Sequence, residues 1–375
     1  MKIRDFGVEI WMNAYENHCQ YNLAETCVQS LSVGELLDLS GRREAVLEEL
    51  AATRLTYGDI EGSPRLRQAI AGLYQSIAPE QITVTNGAIG ANALTMLALV
   101  EPGDQVISVL PTYQQHYSIP ESIGAQVHIL RLREETGWLP DPEELRGLVR
   151  AAGGRVKLIN INNPNNPTGS VMEEPLLREL VEIARSAGAW LLCDEVYRGL
   201  CHQGEAYTAS VADLYEKGIS TGSMSKSYSL AGLRLGWVAG PAELWQLLSR
   251  HRDYHIISVG RLDDLLAVTA LECREAISAR NLAICREGGR LLEEFVANQP
   301  RISYVKPKGG TTAFLRYDLP MGSEELCRRL QGETGVMLLP GKALDVEGYL
   351  RIGYCNDPAI TAKGLALFHQ WLQEQ

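Results

Sequence analysis

The stretch Ser223–Trp237, "SMSKSYSLAGLRLGW", sets a single lysine, Lys226, among serines and places Arg234 eight residues further along. The pKa of a lysine shifts readily, and burial or neighbouring positive charge lowers it, whereas arginine stays charged. An unprotonated lysine forms Schiff bases with carbonyl compounds. An ordinary loop lysine, solvated or paired, is the alternative, so the surrounding sequence has to decide between the two.

The composition is that of a globular protein. The chain has 375 residues, of which 45% are hydrophobic and 22% charged, and this length predicts two domains. A net charge of −11 argues against a nucleic-acid partner and against binding to an anionic membrane. We expect no signal peptide and no membrane span. Eight scattered cysteines without a C-x-x-C pair predict reduced thiols and a cytoplasmic location.

Helix-like and strand-like segments alternate from about residue 60 onward. "SPRLRQAIAGLYQSI" has helical spacing, with Ser63 as the expected N-cap and Pro64 in the first turn. "VKLININNP" and "AWLLCDEVY" are strands that are apolar on both faces. This pattern predicts an α/β fold whose mostly parallel sheet is covered by helices on both sides.

The C-terminal part has a different pattern. Three strand-like segments, "YVKPKGGTTAFLRYDL", "VMLLPGKAL" and "YLRIGYC", with a helix between the first two, predict a smaller α+β domain. We assign residues 47–275 to the large domain and residues 1–46 and 276–375 to the small one.

The chemically unusual residues follow the predicted strands. They are Asn86–Ala88, Pro111–Tyr113, Asn163–Gly169, Asp194–Tyr197 and Ser223–Lys226. In sheets of this kind ligands bind beyond the carboxyl ends of the strands. Five loops that are distant in sequence are therefore expected to meet in one crevice.

Two features of this crevice suggest a ligand. Asp194 ends a buried strand, so it is either paired, for example with Arg198, or it keeps a heteroaromatic nitrogen protonated. The Gly87–Ala88 turn precedes a helix whose free N–H groups favour an anion, and Ser223 and Arg234 complete a phosphate site.

No nucleotide-binding glycine motif is present. His251 and His255 lack the glutamate of the metalloprotease pattern, so no metal site is predicted.

Four stretches occur in a familiar order between Tyr57 and Arg351: "LTYGDIEGSPRLRQAI", "NNPNNPTG", "CDEVYRGL" and "SMSKSYSLAGLRLGW". Together they resemble the class I/II aminotransferases, which are fold-type I pyridoxal-phosphate enzymes. The resemblance implies a three-layer large domain beside a smaller α+β domain. It also implies pyridoxal 5'-phosphate as cofactor, and an amino acid and a 2-oxo acid as substrates.

The resemblance further implies a role for each matching residue. Lys226 would bind the cofactor aldehyde as a Schiff base and then carry the proton. Asp194 would pair with the ring nitrogen, and Tyr113 would stack on the ring. Hydrogen bonds to the phenolic oxygen would come from Tyr197 and Asn166. The residues implied for the phosphate are Gly87, Ala88, Ser223 and Arg234.

Two further residues are assigned through the same resemblance. Arg351 would bind the substrate α-carboxylate, close to Asn166. Tyr57 would reach the phosphate of a neighbouring subunit, which implies a homodimer with shared active sites.

The sequence departs from the family at its N-terminus. Where family members have a glycine-rich segment that lines the substrate site, this chain has "YNLAETCVQSLSVGELLDLSG". That segment and "PKGGTTAFLRY" resemble the subgroup containing capreomycidine synthase. Three functions therefore stay open: an aminotransferase, a pyridoxal-phosphate-dependent lyase or cyclase acting at Cβ or Cγ, and a non-catalytic sensor domain.

Overall fold

The computed structural model describes residues 2–375. Helices are distributed along the whole of that range. The α-helices are α1 (Gly7–Tyr15), α2 (Val33–Ser40), α3 (Arg43–Ala52), α4 (Pro64–Ala71), α5 (Gly87–Leu99), α6 (Gln115–Ile123), α7 (Pro142–Ala151), α8 (Glu174–Ser186), α9 (Val211–Leu214), α10 (Ala242–Arg252), α11 (Arg261–Glu272), α12 (Arg274–Ala297), α13 (Ser323–Thr334) and α14 (Pro358–Gln373). Short 3-10 helices span Glu16–His18, Pro79–Gln81, Glu134–Thr136, Ala231–Leu233 and Gly341–Leu344.

The strands belong to three sheets. They are β1 (Tyr21–Asn22), β2 (Ile82–Thr85), β3 (Gln105–Leu110), β4 (Gln126–Arg131), β5 (Leu158–Asn162), β6 (Trp190–Asp194), β7 (Gly218–Ser223), β8 (Gly236–Ala239), β9 (Ile302–Tyr304), β10 (Thr312–Tyr317), β11 (Val336–Met337), β12 (Leu339–Pro340) and β13 (Tyr349–Gly353).

The central sheet has seven strands in the order β2-β8-β7-β6-β5-β3-β4. Strands β3 to β7 pair in parallel, whereas β8 is antiparallel to both β2 and β7. Helices cover both faces, since β3, β5 and β6 contribute residues to two separate apolar clusters. The predicted α/β fold with a mostly parallel, two-sided sheet is confirmed.

Strand β6 decides where Asp194 points. Successive side chains of a strand face opposite sides of the sheet. Leu191 and Cys193 lie in the cluster beneath α7 and α8, and Trp190 and Leu192 lie in the cluster beneath α5 and α10. Asp194 continues the second set, so its carboxylate is on the α5 side.

Helix α4 begins as its sequence predicts. Pro64 is its first residue, and the Ser63 hydroxyl accepts a hydrogen bond from the Leu66 N–H at 3.1 Å. Between the two sheets in sequence lie three longer helices, α10, α11 and α12, with an interruption at Cys273 between the last two.

The C-terminal strands form a smaller antiparallel sheet in the order β12-β13-β10-β9. The N-terminal segment packs against this region: β1 pairs in parallel with β11, and the Trp11 indole N–H donates to the Leu338 carbonyl at 2.9 Å. This packing brings residues near the N-terminus beside β13, which carries Arg351. The division into residues 47–275 and residues 1–46 with 276–375 remains a prediction.

Glycine 288 allows α12 to lie directly against the end of β13. A Cβ atom at this position would be 1.8 Å from the carbonyl oxygen of Tyr354, which is backbone and has little freedom to move. At Gly289 the nearest atom to a Cβ would be the far end of the Tyr354 ring, at 3.8 Å. A side chain is therefore excluded at Gly288 but fits at the neighbouring Gly289 of the same helix.

We predict that Gly288→Ala lowers the free energy of unfolding by about 1–3 kcal/mol, because the added methyl group must displace backbone. Gly289→Ala is the matched control. It should leave stability unchanged or raise it by up to about 1 kcal/mol, since alanine favours the helix more than glycine does. Urea denaturation of both variants checks this, and equal midpoints would contradict the packing described.

Candidate active site

A cavity of about 310 Å³ lies at the carboxyl ends of the central strands. Nine of the predicted site residues line it: Ala88, Tyr113, Asn166, Asp194, Tyr197, Ser223, Lys226, Arg234 and Arg351. The structure thus brings together residues from loops after β2, β3, β5, β6 and β7, as the strand-end pattern predicts. Their individual roles remain predictions.

The Lys226 side chain is half-buried and contacts the N-terminal segment. Its Nζ donates to Thr26 Oγ1 at 2.6 Å and to Cys27 Sγ at 3.3 Å. Burial lowers the pKa of Lys226. Cys27, Tyr197 and Glu25 together raise it by more than burial lowers it, so the pKa lies above its ordinary value. Burial thus acts as expected, but the neighbouring groups are acidic rather than positive, so the net shift of this pKa is upward.

Asp194 is held by groups from the helices and loops beside β6. Only 6% of the residue is exposed. Its Oδ2 accepts from the Asn92 amide at 2.8 Å and its Oδ1 from the Val196 N–H at 3.2 Å, and His116 Nε2 lies 3.5 Å from Oδ2. Arg198, the alternative ion partner, lies instead 3.8 Å from Glu195. The Asp194 carboxylate is thus oriented without an arginine.

Asn92 is fixed from its other end, because its Oδ1 accepts from the Thr221 hydroxyl of β7 at 2.7 Å. Asn92 and His116 are not among the site residues predicted from the sequence. A buried asparagine within the otherwise apolar helix "AIGANALTMLALV" is the signal by which Asn92 could have been found.

The N-terminus of α5 forms a basic recess. Gly87 begins α5 with a φ of 68°, a value that favours glycine, and a Cβ there would be 3.1 Å from Arg234 Nη2. Among the described residues no side chain caps this helix, so its first N–H groups are open to a ligand. Arg234 and the Ser223 hydroxyl face the same cavity. Such a recess suits a phosphate group.

Tyr113, Tyr197 and Asn166 also line the cavity, together with Asp194 and the basic recess. Tyr197 is buried, and burial raises the pKa of its phenol although Lys226 and Arg351 oppose this. The Tyr113 hydroxyl donates to Glu9 at 2.7 Å, and burial together with Glu9 raises the pKa of Tyr113. The backbone N–H of Asn166 donates to Asn162 Oδ1 at 2.7 Å, which fixes the loop after β5.

Arg351 lies at the opposite side of the cavity, on β13. Only 2% of the residue is exposed. Its Nη1 donates to Asn166 Oδ1 at 3.3 Å and its Nη2 to the Ala24 carbonyl at 3.0 Å. Its Nε has no hydrogen-bond partner within residues 2–375. A buried guanidinium with an unused donor that lines a cavity is suited to bind a carboxylate.

The predicted site residue Tyr57 does not line the cavity of its own chain. It is 75% exposed. This position is compatible with the implied contact to a neighbouring subunit, and the contact itself remains a prediction.

The N-terminal segment adds an acidic wall, which we define as Glu9, Glu16 and Glu25. All three line the cavity, and the sequence analysis named none of them. It did identify the segment containing Glu25, Thr26 and Cys27 as the place where this chain departs from its family. The individual residues carry no local pattern, because they reach the cavity only through the pairing of β1 with β11 and the packing of α1.

The residues present fit pyridoxal phosphate. The basic recess matches a phosphate in charge and donor type, and the buried carboxylate of Asp194 matches a protonated ring nitrogen. Lys226 lines the cavity together with both. Among residues 2–375, no group of three His, Cys, Asp or Glu side chains is placed to hold a metal ion.

The chain also matches known proteins. The family model "Aminotransferase class I and II" matches residues 27–363. A capreomycidine synthase from Streptomyces vinaceus is 31% identical over 371 residues, which cover 97% of this chain and 93% of that protein.

Two solved structures superpose on nearly the whole chain. A pyridoxal-phosphate-dependent aminotransferase from Streptococcus suis has a TM-score of 0.95 and 43% identity, with 100% of this chain and 99% of that chain covered. The pyridoxal-phosphate-dependent cyclase OrfR has a TM-score of 0.91 and 26% identity, with coverage of 100% and 98%. The chain therefore belongs to the aminotransferase class I and II family and is a pyridoxal-phosphate-dependent enzyme of the aminotransferase type, with the fold-type I architecture.

Proposed function

We propose that the chain transfers an amino group between an amino acid and a 2-oxo acid, and that Lys226 moves the proton at the substrate Cα. One observation carries the proposal: Lys226, the carboxylate of Asp194, the basic recess and Arg351 all line a single cavity. When bound, pyridoxal phosphate supplies an aldehyde that condenses with amines and a protonated ring that accepts the electron pair released at Cα.

Each surrounding residue would bind a different part of the cofactor or the substrate. Gly87, Ala88, Ser223 and Arg234 would hold the phosphate, and Asp194 would keep the ring nitrogen protonated. Tyr197 and Asn166 would hydrogen-bond the phenolic oxygen, and Tyr113 would stack on the ring. Arg351, assisted by Asn166, would bind the substrate α-carboxylate and so direct the Cα–H bond towards Lys226.

Lys226 is suited to proton transfer by its position rather than by a lowered pKa. Its amine is fixed by Thr26 and Cys27, so its direction of approach is set before substrate arrives. Set free as the neutral amine when the substrate amine replaces it on the cofactor aldehyde, Lys226 would take the proton from Cα and return it at the adjoining carbon of the cofactor. The buried side chains of Tyr197 and Arg351 limit the access of water to this point.

We also propose a homodimer in the cytoplasm. An apolar patch, defined as Leu55, Tyr57, Ile60, Tyr254 and Ile257, is exposed on one surface. Its two segments adjoin, since the Gly58 N–H donates to Ser258 Oγ at 3.1 Å. Exposed apolar patches of this kind favour association, and a second copy would place Tyr57 near the partner's phosphate site.

One observation agrees with the proposed location. All eight cysteines are unpaired in the part of the chain that the structure describes. Within residues 2–375, none of the helices combines the length and the apolar character that crossing a bilayer requires.

A second net reaction would use the same cofactor residues. Capreomycidine synthase and the cyclase OrfR both cover almost the whole chain, so elimination or cyclisation at Cβ or Cγ is the second candidate. The reaction would differ after proton removal from Cα, when a leaving group departs from the substrate side chain. The aminotransferase reaction takes precedence because the relative from Streptococcus suis is 43% identical.

The net reaction is tested by supplying the loaded enzyme with amino acids labelled with 15N at the α-amino group, one at a time, together with a 2-oxo acid acceptor. Transamination predicts that the donor's 15N label appears in the new amino acid, in equal amount to the 2-oxo acid formed. An unsaturated or cyclised product that forms without consuming the acceptor would establish the second candidate instead.

The role of Lys226 is tested without knowledge of the substrate. Borohydride treatment of the loaded protein should attach the cofactor irreversibly to Lys226, as read by peptide mass spectrometry. Lys226→Arg should abolish the label and reduce turnover by about 100-fold or more, since a positioned acid–base group contributes at least that much. Lys217→Arg, at a half-buried lysine just before β7, is the control. Labelling of another lysine in the wild type would contradict the assignment.

The shared site is tested through Tyr57. Sedimentation should give a dimer, and Tyr57→Phe should weaken cofactor binding by about tenfold, the effect of losing one hydrogen bond to a charged group. Tyr254→Phe, within the same patch, should leave cofactor affinity unchanged. A monomer with full affinity for the cofactor would rule out this role for Tyr57.

A further inference from the structure

Helix α5 buries two polar side chains, Asn92 and Thr95, in an otherwise apolar surface. The Thr95 hydroxyl donates within the helix, to the Ala91 carbonyl at 2.8 Å. Asn92, which is only 1% exposed, bonds instead to side chains of the central sheet. A buried amide is costly unless both its donor and its acceptor are used. The partners of Asn92 therefore indicate its role.

Asn92 bridges two neighbouring strands. Asp194 of β6 and Thr221 of β7 are register partners in a parallel pair, so their side chains lie on the same face of the sheet. The Asn92 Nδ2 donates to Asp194 Oδ2 at 2.8 Å, and the Asn92 Oδ1 accepts from the Thr221 hydroxyl at 2.7 Å. One amide from α5 thus joins the ends of both strands.

The chemistry of the three groups determines which way the Asn92 amide faces. An ionised carboxylate only accepts hydrogen bonds, so the NH2 group of Asn92 must face Asp194. The opposite orientation would place the amide oxygen against the carboxylate, and two acceptors repel each other. The Thr221 hydroxyl therefore donates to Asn92 and fixes it, and Asn92 in turn fixes Asp194.

The other neighbours of the Asp194 carboxylate lie further away than Asn92. The Val196 N–H donates to Oδ1 at 3.2 Å, and His116 Nε2 lies 3.5 Å from Oδ2. An ionised carboxylate can accept about four hydrogen bonds, and Asn92 and Val196 use one position on each oxygen. Asp194 also lines the cavity, so the remaining positions are available to a ligand there.

The helix that carries Asn92 also presents the basic recess. Gly87 and Ala88 begin α5, and Asn92 follows Gly87 at about 7.5 Å along the helix axis. The start of α5 is pressed against β8, because a Cβ at Gly236 would be 2.3 Å from the carbonyl carbon of Gly87. Helix α5 is thus fixed on β8 at its start and on β6 and β7 through Asn92. The separation between the recess and Asp194 is therefore set within one helix.

We propose that Asn92 is a positioning residue: it holds the Asp194 carboxylate in the direction that meets the ring nitrogen of pyridoxal phosphate while the phosphate lies in the basic recess. This inference rests on the proposed role of Asp194 at the ring nitrogen. Asn92 acts through Asp194, and Thr221 acts through Asn92. Without Asn92 the carboxylate loses its donor from α5 and is free to turn, so its charged hydrogen bond with the ring N–H weakens.

The test compares pyridoxal phosphate with 1-deazapyridoxal phosphate, in which a C–H group replaces the ring nitrogen while the aldehyde and the phosphate are kept. Cofactor-free protein is titrated with each compound, and the Kd is measured from the change in absorption. We expect the wild type to bind pyridoxal phosphate more tightly by about tenfold or more, the effect of one hydrogen bond between charged groups. Asp194→Ala should remove this preference and so defines the baseline.

Variants of the bridge assign the preference. Asn92→Leu keeps the size of the side chain and removes both hydrogen bonds, so it should reduce the preference to about twofold or less while the Kd of the deaza compound stays within about twofold of the wild-type value. Thr221→Val removes only the hydroxyl that orients Asn92 and should reduce the preference by about threefold. It provides the test if Asn92→Leu does not fold. Thr95→Val, on the same helix, is the matched control and should keep the preference.

Equal losses of affinity for the two compounds in Asn92→Leu would overturn the inference, because a purely structural effect does not depend on the ring nitrogen. A preference that survives in both Asn92→Leu and Thr221→Val would overturn it as well. The wild type separates this failure from that of the proposed function. If the wild type does not distinguish the two compounds, the role proposed for Asp194 fails together with that of Asn92. If the wild type has the preference and both variants keep it, only the role of Asn92 fails. No substrate is present, so the result does not depend on the net reaction.

Discussion

The buried carboxylate of Asp194 is the constraint on which the rest of the site depends. A carboxylate at the end of an apolar strand is costly unless nearby groups stabilise it. Here the alternation of β6 turns it towards α5, where the Asn92 amide donates to it, and Thr221 of β7 fixes that amide in turn. The polar contacts of one side chain thus tie together β6, β7 and α5, and α5 also presents the basic recess.

Charge is distributed unevenly around the cavity. The basic recess at the N-terminus of α5 lies within the large parallel sheet, whereas the acidic wall comes from the N-terminal segment and Arg351 from the smaller antiparallel sheet. The residues proposed to bind the cofactor therefore belong to the large sheet and its loops, whereas Arg351, proposed to bind the substrate carboxylate, belongs to the smaller sheet.

The sheet and most of the cavity could be predicted because their signals are local. Strands β5 and β6 are mostly apolar and buried along their whole length, and the chemically unusual residues follow them directly in sequence. The acidic wall and the raised pKa of Lys226 could not be predicted. Glu25, Thr26 and Cys27 reach Lys226 across about 200 residues of chain, and no local pattern reports such a contact. The role proposed for Tyr57 cannot be derived from a single chain, since it depends on a second copy.

The central claim is that Lys226 moves the proton at the substrate Cα, and hydrogen exchange tests it most directly. The loaded enzyme is incubated in D2O with an amino acid and no acceptor, and loss of the Cα hydrogen is followed by NMR. We predict rapid exchange in the wild type and exchange slower by about 100-fold or more in Lys226→Arg. Exchange at the wild-type rate in that variant would contradict the account, whichever net reaction the enzyme completes.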